Sequence, residues 1–483
     1  MGILNFNKWL KETYPKSFLP QYNKRIFDYI YIDVNHVLHH ALNSSRTEAQ
    51  FVKNLFYRLD MIFNNYIAKK KIVLGVDGTA PYSKVITQRK RRLQSVNKIK
   101  INNLNSLHLT PGTKFMSKLS DCIYRYVNKL KKNYKFINVD VDISLSDEPD
   151  EGELKIFRKL IEYGKNNYYS HLVIGNDADL VVMALAANPI KNIYLLINYS
   201  GEQKLISINK LMNIHSKKYI NKGLDNIRDD FAMISLLMGN DYLPKLMYIK
   251  FSTIWKAYQL TKIKNMNNLI VNGNFNIKFL QELMLHIISL IPHQFKSFSL
   301  EKYNDKDIKN YLEGLLWCFN MYQTGYCPMY DYLYIANNSP HPIHILYYTV
   351  FNNNLSIEIP KSDTKPLSND IYTLLLMPKK ARKMIPEKYQ KFIDNELKYM
   401  YTLEDCDECQ NHKNDLSKFH KELRSIRLDN LNEKITDNDS DPTINVRKQI
   451  GKVSSSLHKH KKNHIHDFTI NDIARVVEFT KNI

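Results

Sequence analysis

Read for its alternation of apolar and polar positions, the chain separates into an N-terminal half of alternating strand and helix signals, a mainly helical stretch and a polar tail. Residues 3–13, LNFNKWLKETY, place Phe6, Trp9 and Leu10 at i, i+3 and i+4, which predicts a short amphipathic helix docked on the body. YIYIDVN at 29–35 is a β-rich run that ends by delivering Asp33, and a helical segment follows to about Lys69. The next strand, KIVLGVDG at 71–78, delivers Asp77 in the same way. Strand, helix, strand with a carboxylate at both exits predicts a parallel βαβ unit, and sites in open α/β sheets form outside the carboxyl ends of strands.

The same pattern predicts a helix near 114–131, a strand over KFINVDV at 135–141, and a helix opened by Glu151 and Glu153 whose apolar face is Leu154, Ile156, Phe157 and Leu160. VIGNDADL at 173–180 is an apolar strand running into Asp177 and Asp179, and IYLLIN at 193–198 is another strand. IRDDFAMISLLMGNDYLP predicts a helix with the stripe Phe231, Ile234, Leu237 and Met238, then a turn at Gly239, Asn240 and Asp241 stopped by Pro244. Residues from about 255 to 400 read as mainly helical, and the aromatic run at 311–334 reads as core. From about Asn411 polarity rises; residues 432–466 have the composition of a disordered basic linker, followed by a short helix, IARVVEFTKNI. The expected class is therefore α/β, a central mainly parallel sheet flanked by helices, with a helical second region. The expected division is 1–255, 256–400 and 401–483, the second region completing the active-site pocket.

Composition then narrows the function. Lys plus Arg exceed Asp plus Glu by 69 to 48 in 483 residues, a net charge of +21 that favours a polyanionic partner. The excess is local: between Asp77 and Asp121 there is no acid, while Lys84, Arg89, Lys90, Arg91, Arg92, Lys98, Lys100, Lys114 and Lys118 supply nine positive charges. In KVITQRKRRL, Lys84, Gln88, Arg91 and Arg92 fall on one helix face, suited to gripping a terminal phosphate. The longest apolar run, Leu283–Ile291, is too short to span a membrane, and the N-terminus lacks the layout of a signal peptide or myristoylation site. Five cysteines without a disulfide spacing fit a reducing compartment, which places the protein inside a cell, in the cytoplasm ahead of the nucleus. Cys406 and Cys409 form a C-x-x-C with His412 nearby, but a zinc site would need a further ligand that the spacing does not supply, so an acidic loop is the favoured reading there.

Asp33, Asp77, Glu151, Glu153, Asp177, Asp179 and Asp241 stand, most of them, at strand ends or helix starts where one crevice can gather them. An isolated D-x-D favours a solvated acidic turn. Seven converging carboxylates instead need cations, and their all-oxygen character selects Mg2+ or Mn2+, two ions that would hold the attacking water and leaving oxygen of a phosphodiester.

The blocks MGILNFNKWLKETYP, YIDVNHVLH, VDGTAPYSKVITQRKRR, LTPGTKFM, EPDEGELKI, VIGNDADLVVMAL and DDFAMISLLMGNDYLP resemble, in order, those of the Xrn-type 5′-to-3′ exoribonucleases, which share a PIN-like 5′-nuclease core with flap endonucleases. A weaker echo runs from YLEGLLWCFNMY to MPKKARKMIPEKY. The resemblance implies that the seven acids are metal ligands and catalytic carboxylates, and that Lys84, Gln88, Arg91 and Arg92 recognise a 5′-monophosphate. It further implies that His39 stacks on a base and Pro81 borders the first nucleotides. The substrate it implies is single-stranded RNA with a 5′-monophosphate, taken by a monomer. The alternatives are a flap-type DNA nuclease and a catalytically silent RNA-binding scaffold. Three departures stand out: Asp150 occupies a position where the family has Gly, Leu154 one where it has His, and CPMYDYLY lacks the family's stacking tryptophan, leaving Tyr330 or Tyr332 as substitutes.

Overall fold

A computed structural model describes the chain except residues 1–2, 4–5, 21–24, 96–102, 200–201, 218–226, 265–266, 293–303, 337–338, 353–354, 402–403, 405, 433–441, 464–467 and 482. The described residues form two compact units, the first of residues 1–88 and 100–373, the second of 89–99 and 374–483. The division differs from the one expected from sequence because the segment after Gln88 and the chain beyond Thr373 cluster together.

The first unit is built on a seven-stranded sheet: β1 (Phe18–Leu19), β2 (Arg25–Asp33), β3 (Tyr66–Gly75), β4 (Asp140–Ser144), β5 (His171–Ile174), β6 (Ile193–Tyr199) and β7 (Glu202–Ser207), in the order β1-β7-β6-β5-β2-β3-β4. The five strands β2 to β6 are mutually parallel, with Ile32 opposite Leu74 on one side and Ile174 on the other, and β7 and β1 add an antiparallel edge. The chain builds outward from β2 through β3 to β4, then crosses back to β5 on the other flank. This reversal makes the β2/β5 boundary the switch point of the sheet.

Period-2 alternation explains why helices cover both faces. Ile30, Ile32, Ile72, Leu74, Leu172 and Ile174 point into a core with α2 (Val34–Asn43), α3 (Glu48–Asn65) and α5 (Lys114–Lys131). Tyr31, Val73, Val173, Leu195 and Ile197 point to the other, with α6 (Gly152–Tyr163), α7 (Asp179–Ala186) and α9 (Ile227–Leu236). All eight residues of α7, DLVVMALA, are buried, as befits a helix packed between sheet and neighbouring helices. The N-terminal helix α1 (Phe6–Thr13) docks as its pattern predicts, burying Phe6 and Leu10 and stacking Trp9 at 5.2 Å on both Phe251 and Trp255.

Helices α10 (Phe251–Lys264), α11 (Ile277–Leu290), α12 (Asp305–Thr324) and α13 (Pro342–Phe351) complete the unit, with α8 (Ile208–Ser216) beside β7 and the first turns of α4 (Tyr82–Ser95). The two-stranded ribbon between α10 and α11 turns through Asn272 and Gly273, both at positive φ (52° and 78°), the backbone a two-residue hairpin requires. No described helix is long and apolar enough to cross a membrane.

Three expectations change. The stretch 66–69, read as the end of a helix, begins β3, because Tyr66 and Ala68 bury alternately while pairing with Arg25 and Phe27. The strand read over 135–141 lies at Asp140–Ser144; Phe136 and Val139 are buried on a run of turns instead. Part of the polar tail read as disordered, Pro442–Asn463, is a helix packed on a second helix, Asp407–Asn432; the part at 433–441 lies outside the described residues. In the second unit Arg89 is buried, donates to the carbonyls of Leu375 and Met400, and carries Tyr401 and Phe468 against its guanidinium.

Candidate active site

Every acid singled out in the sequence is delivered to the carboxyl edge of the parallel strands. Asp33 ends β2 and caps α2, its Oδ1 accepting from the Asn35 amide at 3.0 Å. Asp77 follows β3 by two residues; its amide donates to Asn35 Oδ1 at 3.0 Å and its Oδ1 accepts from the Gly152 amide at 2.7 Å. Glu151 is the N-cap residue of α6 and Glu153 lies in its first turn. The loop after β5 carries Asp177, whose Oδ1 lies 3.5 Å from the Asp179 amide at the start of α7. Asp241 sits in the turn after α9, where Asn240 Oδ1 accepts from the amides of Tyr242 and Leu243, both at 2.9 Å.

Bare backbone makes the approach possible. A Cβ on Gly75 would stand 2.6 Å from the Gly152 carbonyl oxygen and 2.7 Å from Ile156 Cγ2, so β3 and the start of α6 meet only because both positions are glycine. Gly239 takes φ 81°, the left-handed turn that swings Asp241 back toward the sheet.

The carboxylates feel one another. Burial and then the charge of Asp77 hold the Asp33 carboxyl well above its ordinary value, with Asp177 adding to the effect. Asp77 is pushed up to about 6 by burial and Glu151, against the opposing pull of the Gly152 amide, Lys84 and Lys155. Glu153 is raised well above the usual range by burial and by Asp177, Asp33, Asp179 and Glu151. Asp179 is raised to about 8 by burial, Asp177 and Asp241. These couplings link all seven acids into one negative field.

The cation within it is Lys84, from the first turn of α4. Its Nζ lies 2.8 Å from Glu151 Oε1 and pairs with Asp241 as well; burial opposes its charge, yet the two carboxylates outweigh that and its pKa stands well above the ordinary value. Lys84 is therefore held by two of the predicted ligands, whereas the sequence reading grouped it with a phosphate pocket. Of its partners in that reading, Gln88 accepts from the Tyr372 hydroxyl at 3.3 Å, and Arg91 and Arg92 are half-buried residues of the second unit. Pro81 is buried at the start of the helix, its carbonyl accepting from the Lys84 amide at 2.9 Å, and His39 is exposed on α2.

Residue types and burial suit divalent cations. Oxygen is the sole donor type, and Asp179 Oδ1 is buried without a hydrogen-bond partner. A site that strands a carboxylate oxygen among like charges is built for a positive ion.

The first 198 residues match the family model described as XRN 5'-3' exonuclease N-terminus. Over those 198 of its 483 residues the chain is similar to the Xrn family. Among curated relatives, 5'-3' exoribonuclease 1 of Schizosaccharomyces pombe is 28% identical over 299 residues, covering 51% of this chain and 22% of that protein. The human 5'-3' exoribonuclease 1 is 25% identical over 301 residues, covering 52% and 18%. Saccharomyces cerevisiae 5'-3' exoribonuclease 2 is 25% identical over 409 residues, covering 64% and 40%. The chain thus spans well under half the length of these relatives. Among solved structures, the catalytic core of Rad2 in complex with DNA substrate aligns at TM-score 0.36 and 15% identity, over 72% of this chain and 94% of that one.

The Xrn departures acquire a physical account. Asp150 takes φ 80°, the left-handed conformation glycine adopts without strain. Its carboxylate turns away from the cup, paired with Arg158 and accepting from the Tyr330 hydroxyl at 2.7 Å. It is a tethered turn residue rather than an eighth ligand. Leu154 is a core residue. Of the two tyrosines proposed to replace the stacking tryptophan, Tyr332 is buried, stacked on Trp317 at 4.8 Å and donating to the Asn310 carbonyl at 2.8 Å, so it belongs to the core.

Sequence reasoning missed three supporting residues. Asn35 ties Asp33 to Asp77, and its place two residues after a strand-end aspartate was the available signal. Tyr242, beside Asp241, donates to Glu151. Lys155 is buried, lowered to about 8 by burial, and donates to the carbonyls of Val76 (2.9 Å) and Leu145 (2.6 Å), bracing the loop before α6.

Proposed function

We propose that the protein is a metal-dependent 5′-to-3′ exoribonuclease that hydrolyses 5′-monophosphorylated, single-stranded RNA as a monomer, inside the cell. The observation that carries this is the seven-carboxylate cup at the sheet's switch point, with Lys84 reaching into it and Asp179 Oδ1 unpartnered. The match of residues 1–198 to that family model and relatives named exoribonucleases support the choice of substrate.

Asp33, Asp77, Glu151, Glu153, Asp177, Asp179 and Asp241 would hold two Mg2+ or Mn2+ ions, which supply Lewis acidity and charge neutralisation at the phosphodiester. The chain's own residues do the rest. Lys84, kept charged by Glu151 and Asp241, places an ammonium where a scissile phosphate gathers charge. Asn35 and the Gly152 amide fix the Asp33 and Asp77 carboxylates, so the cup is preorganised and little rearrangement precedes reaction. Tyr242 fixes Glu151. Recognition of the terminal phosphate is assigned, on the family resemblance, to Lys84, Gln88, Arg91 and Arg92, and contact with the first bases to His39 and Pro81.

The test compares 5′-monophosphate, 5′-triphosphate and 5′-hydroxyl RNAs of one sequence, with Mg2+, beside an Asp177→Asn, Asp179→Asn variant. The expected result is stepwise release of nucleotides from the monophosphate end only, abolished in the variant. Equal degradation of all three ends, or full activity of the variant, overturns the proposal; internal cleavage of branched DNA without an RNA end preference would replace it with a flap-type nuclease.

A further inference from the structure

The helix pair of the second unit, Asp407–Asn432 against Pro442–Asn463, is polar along most of its length. Among its described residues the buried side chains are Cys409, Val446 and His460. Of these, Val446 is aliphatic. The other two buried residues are types that bind metals.

Cys406 precedes the first helix, Cys409 lies in its first turn, and His460 lies in the last turn of the second helix. One ligand atom from each lies within 4.8 Å of the other two, and Cys406 Sγ is 3.3 Å from His460 Nε2. In a tetrahedral zinc site with bonds of about 2.0 to 2.3 Å, ligand atoms stand roughly 3.3 to 3.8 Å apart, so a small contraction suffices. The opposite ring nitrogen, His460 Nδ1, is 3.0 Å from Glu408 Oε2. That carboxylate fixes the tautomer with Nε2 facing the sulfurs, the arrangement that orients metal-bound imidazoles. Neither cysteine is in a disulfide.

We propose that Cys406, Cys409 and His460 hold a zinc ion that fastens the two helices of the second unit. Two thiolates and an imidazole select zinc over the hard cations suited to the carboxylate cup. Binding converts two thiols to thiolates and releases two protons, with no change of oxidation state. His412, the next histidine after the C-x-x-C, is engaged elsewhere: Nδ1 lies 2.8 Å from the Glu408 carbonyl oxygen and Nε2 lies 2.9 Å from Ser456 Oγ. Among the described residues the ligand set that comes together is Cys406, Cys409 and His460. The third protein ligand was invisible to motif spacing because it comes from the partner helix.

The experiment measures zinc by elemental analysis in the full chain, reconstituted with excess Zn2+ and exchanged into zinc-free buffer, and records the absorption spectrum after Co2+ replacement. About one zinc per chain is expected, with a thiolate-to-cobalt charge-transfer band that a carboxylate site cannot produce. Cys406→Ser, Cys409→Ser loses both signals, His460→Gln weakens both, and Asp177→Asn, Asp179→Asn keeps both. Absence of the charge-transfer band from the wild-type chain, or equal zinc content in the double serine variant, overturns the assignment. Should the serine variant fail to fold, the wild-type cobalt spectrum still decides.

Discussion

In the metal-free protein, Asp179→Asn is expected to stabilise the first unit above neutral pH while abolishing turnover. Asp179 is buried, and burial with the charges of Asp177 and Asp241 raises its carboxyl from 3.8 to about 8. The folded pKa lies above the unfolded one, so between about pH 4 and pH 8 the native state holds a proton that the unfolded chain has released. The associated stability is complete below the unfolded value and is lost as pH rises through the folded one. Each pH unit of that window costs about 1.4 kcal/mol, so going from about pH 5.5 to about pH 8 removes roughly 3 kcal/mol from the wild type. Asparagine does not titrate and keeps that stability; any cost of burying its amide is the same at both pH values and cancels. The assay is urea unfolding of both proteins in EDTA at about pH 5.5 and about pH 9. The advantage of the variant should grow by about 3 kcal/mol at the higher pH, and Mg2+ should then stabilise the wild type more than the variant. A difference that does not change with pH, or that moves toward the wild type as pH rises, would refute the charge-crowding account of the cup.

Three further outcomes follow from contacts already described. Lys84→Gln leaves Glu151 and Asp241 facing each other without a cation, so unfolding in EDTA near neutral pH should move by about 3 to 5 kcal/mol against the variant, the loss should shrink in Mg2+, and turnover should fall roughly 100-fold. Asp150→Gly should keep nuclease activity within about threefold, since its carboxylate holds Arg158 and Tyr330 rather than the ligands; Asp150→Ala should be less stable than Asp150→Gly by about 1 to 2 kcal/mol in urea melts, the cost of a Cβ at positive φ. Gly75→Ala should destabilise by about 1 to 3 kcal/mol in the same melts, because its Cβ meets the Gly152 backbone at 2.6 Å.

Six of the seven acids were legible in the sequence because each follows an apolar strand or opens a helix, where chain direction alone sends a side chain to the carboxyl edge of a parallel sheet; Asp241 was legible from the Gly-Asn-Asp turn that ends a helix. The parallel strands were legible as apolar runs bounded by turn residues. The antiparallel edge was not, since EQKLIS is short and half polar, and its pairing with β6 is a tertiary matter. Nor were the carboxylate partners of Lys84: spacing set it on a face with Gln88, Arg91 and Arg92, but its ion pairs depend on where Glu151 and Asp241 arrive in space. Asp150 stood out as a departure, yet only the backbone angle explains why an aspartate tethered by Arg158 and Tyr330 can stand where a glycine is usual. The tail helices escaped because their sequence is strongly polar, and composition cannot see a cysteine pair meeting a histidine half a hundred residues away.

The reversal of chain direction at β2 has a temporal side. A ribosome delivers Asp33, Asp77, Glu151 and Glu153 with the strands on one flank of the sheet, and Asp177, Asp179 and Asp241 only with the other. Until the turn at Gly239 has emerged, the growing polypeptide carries half a cup, with Lys84 lacking Asp241 as its second partner. The cup is thus complete only when about half of the 483-residue chain has been made.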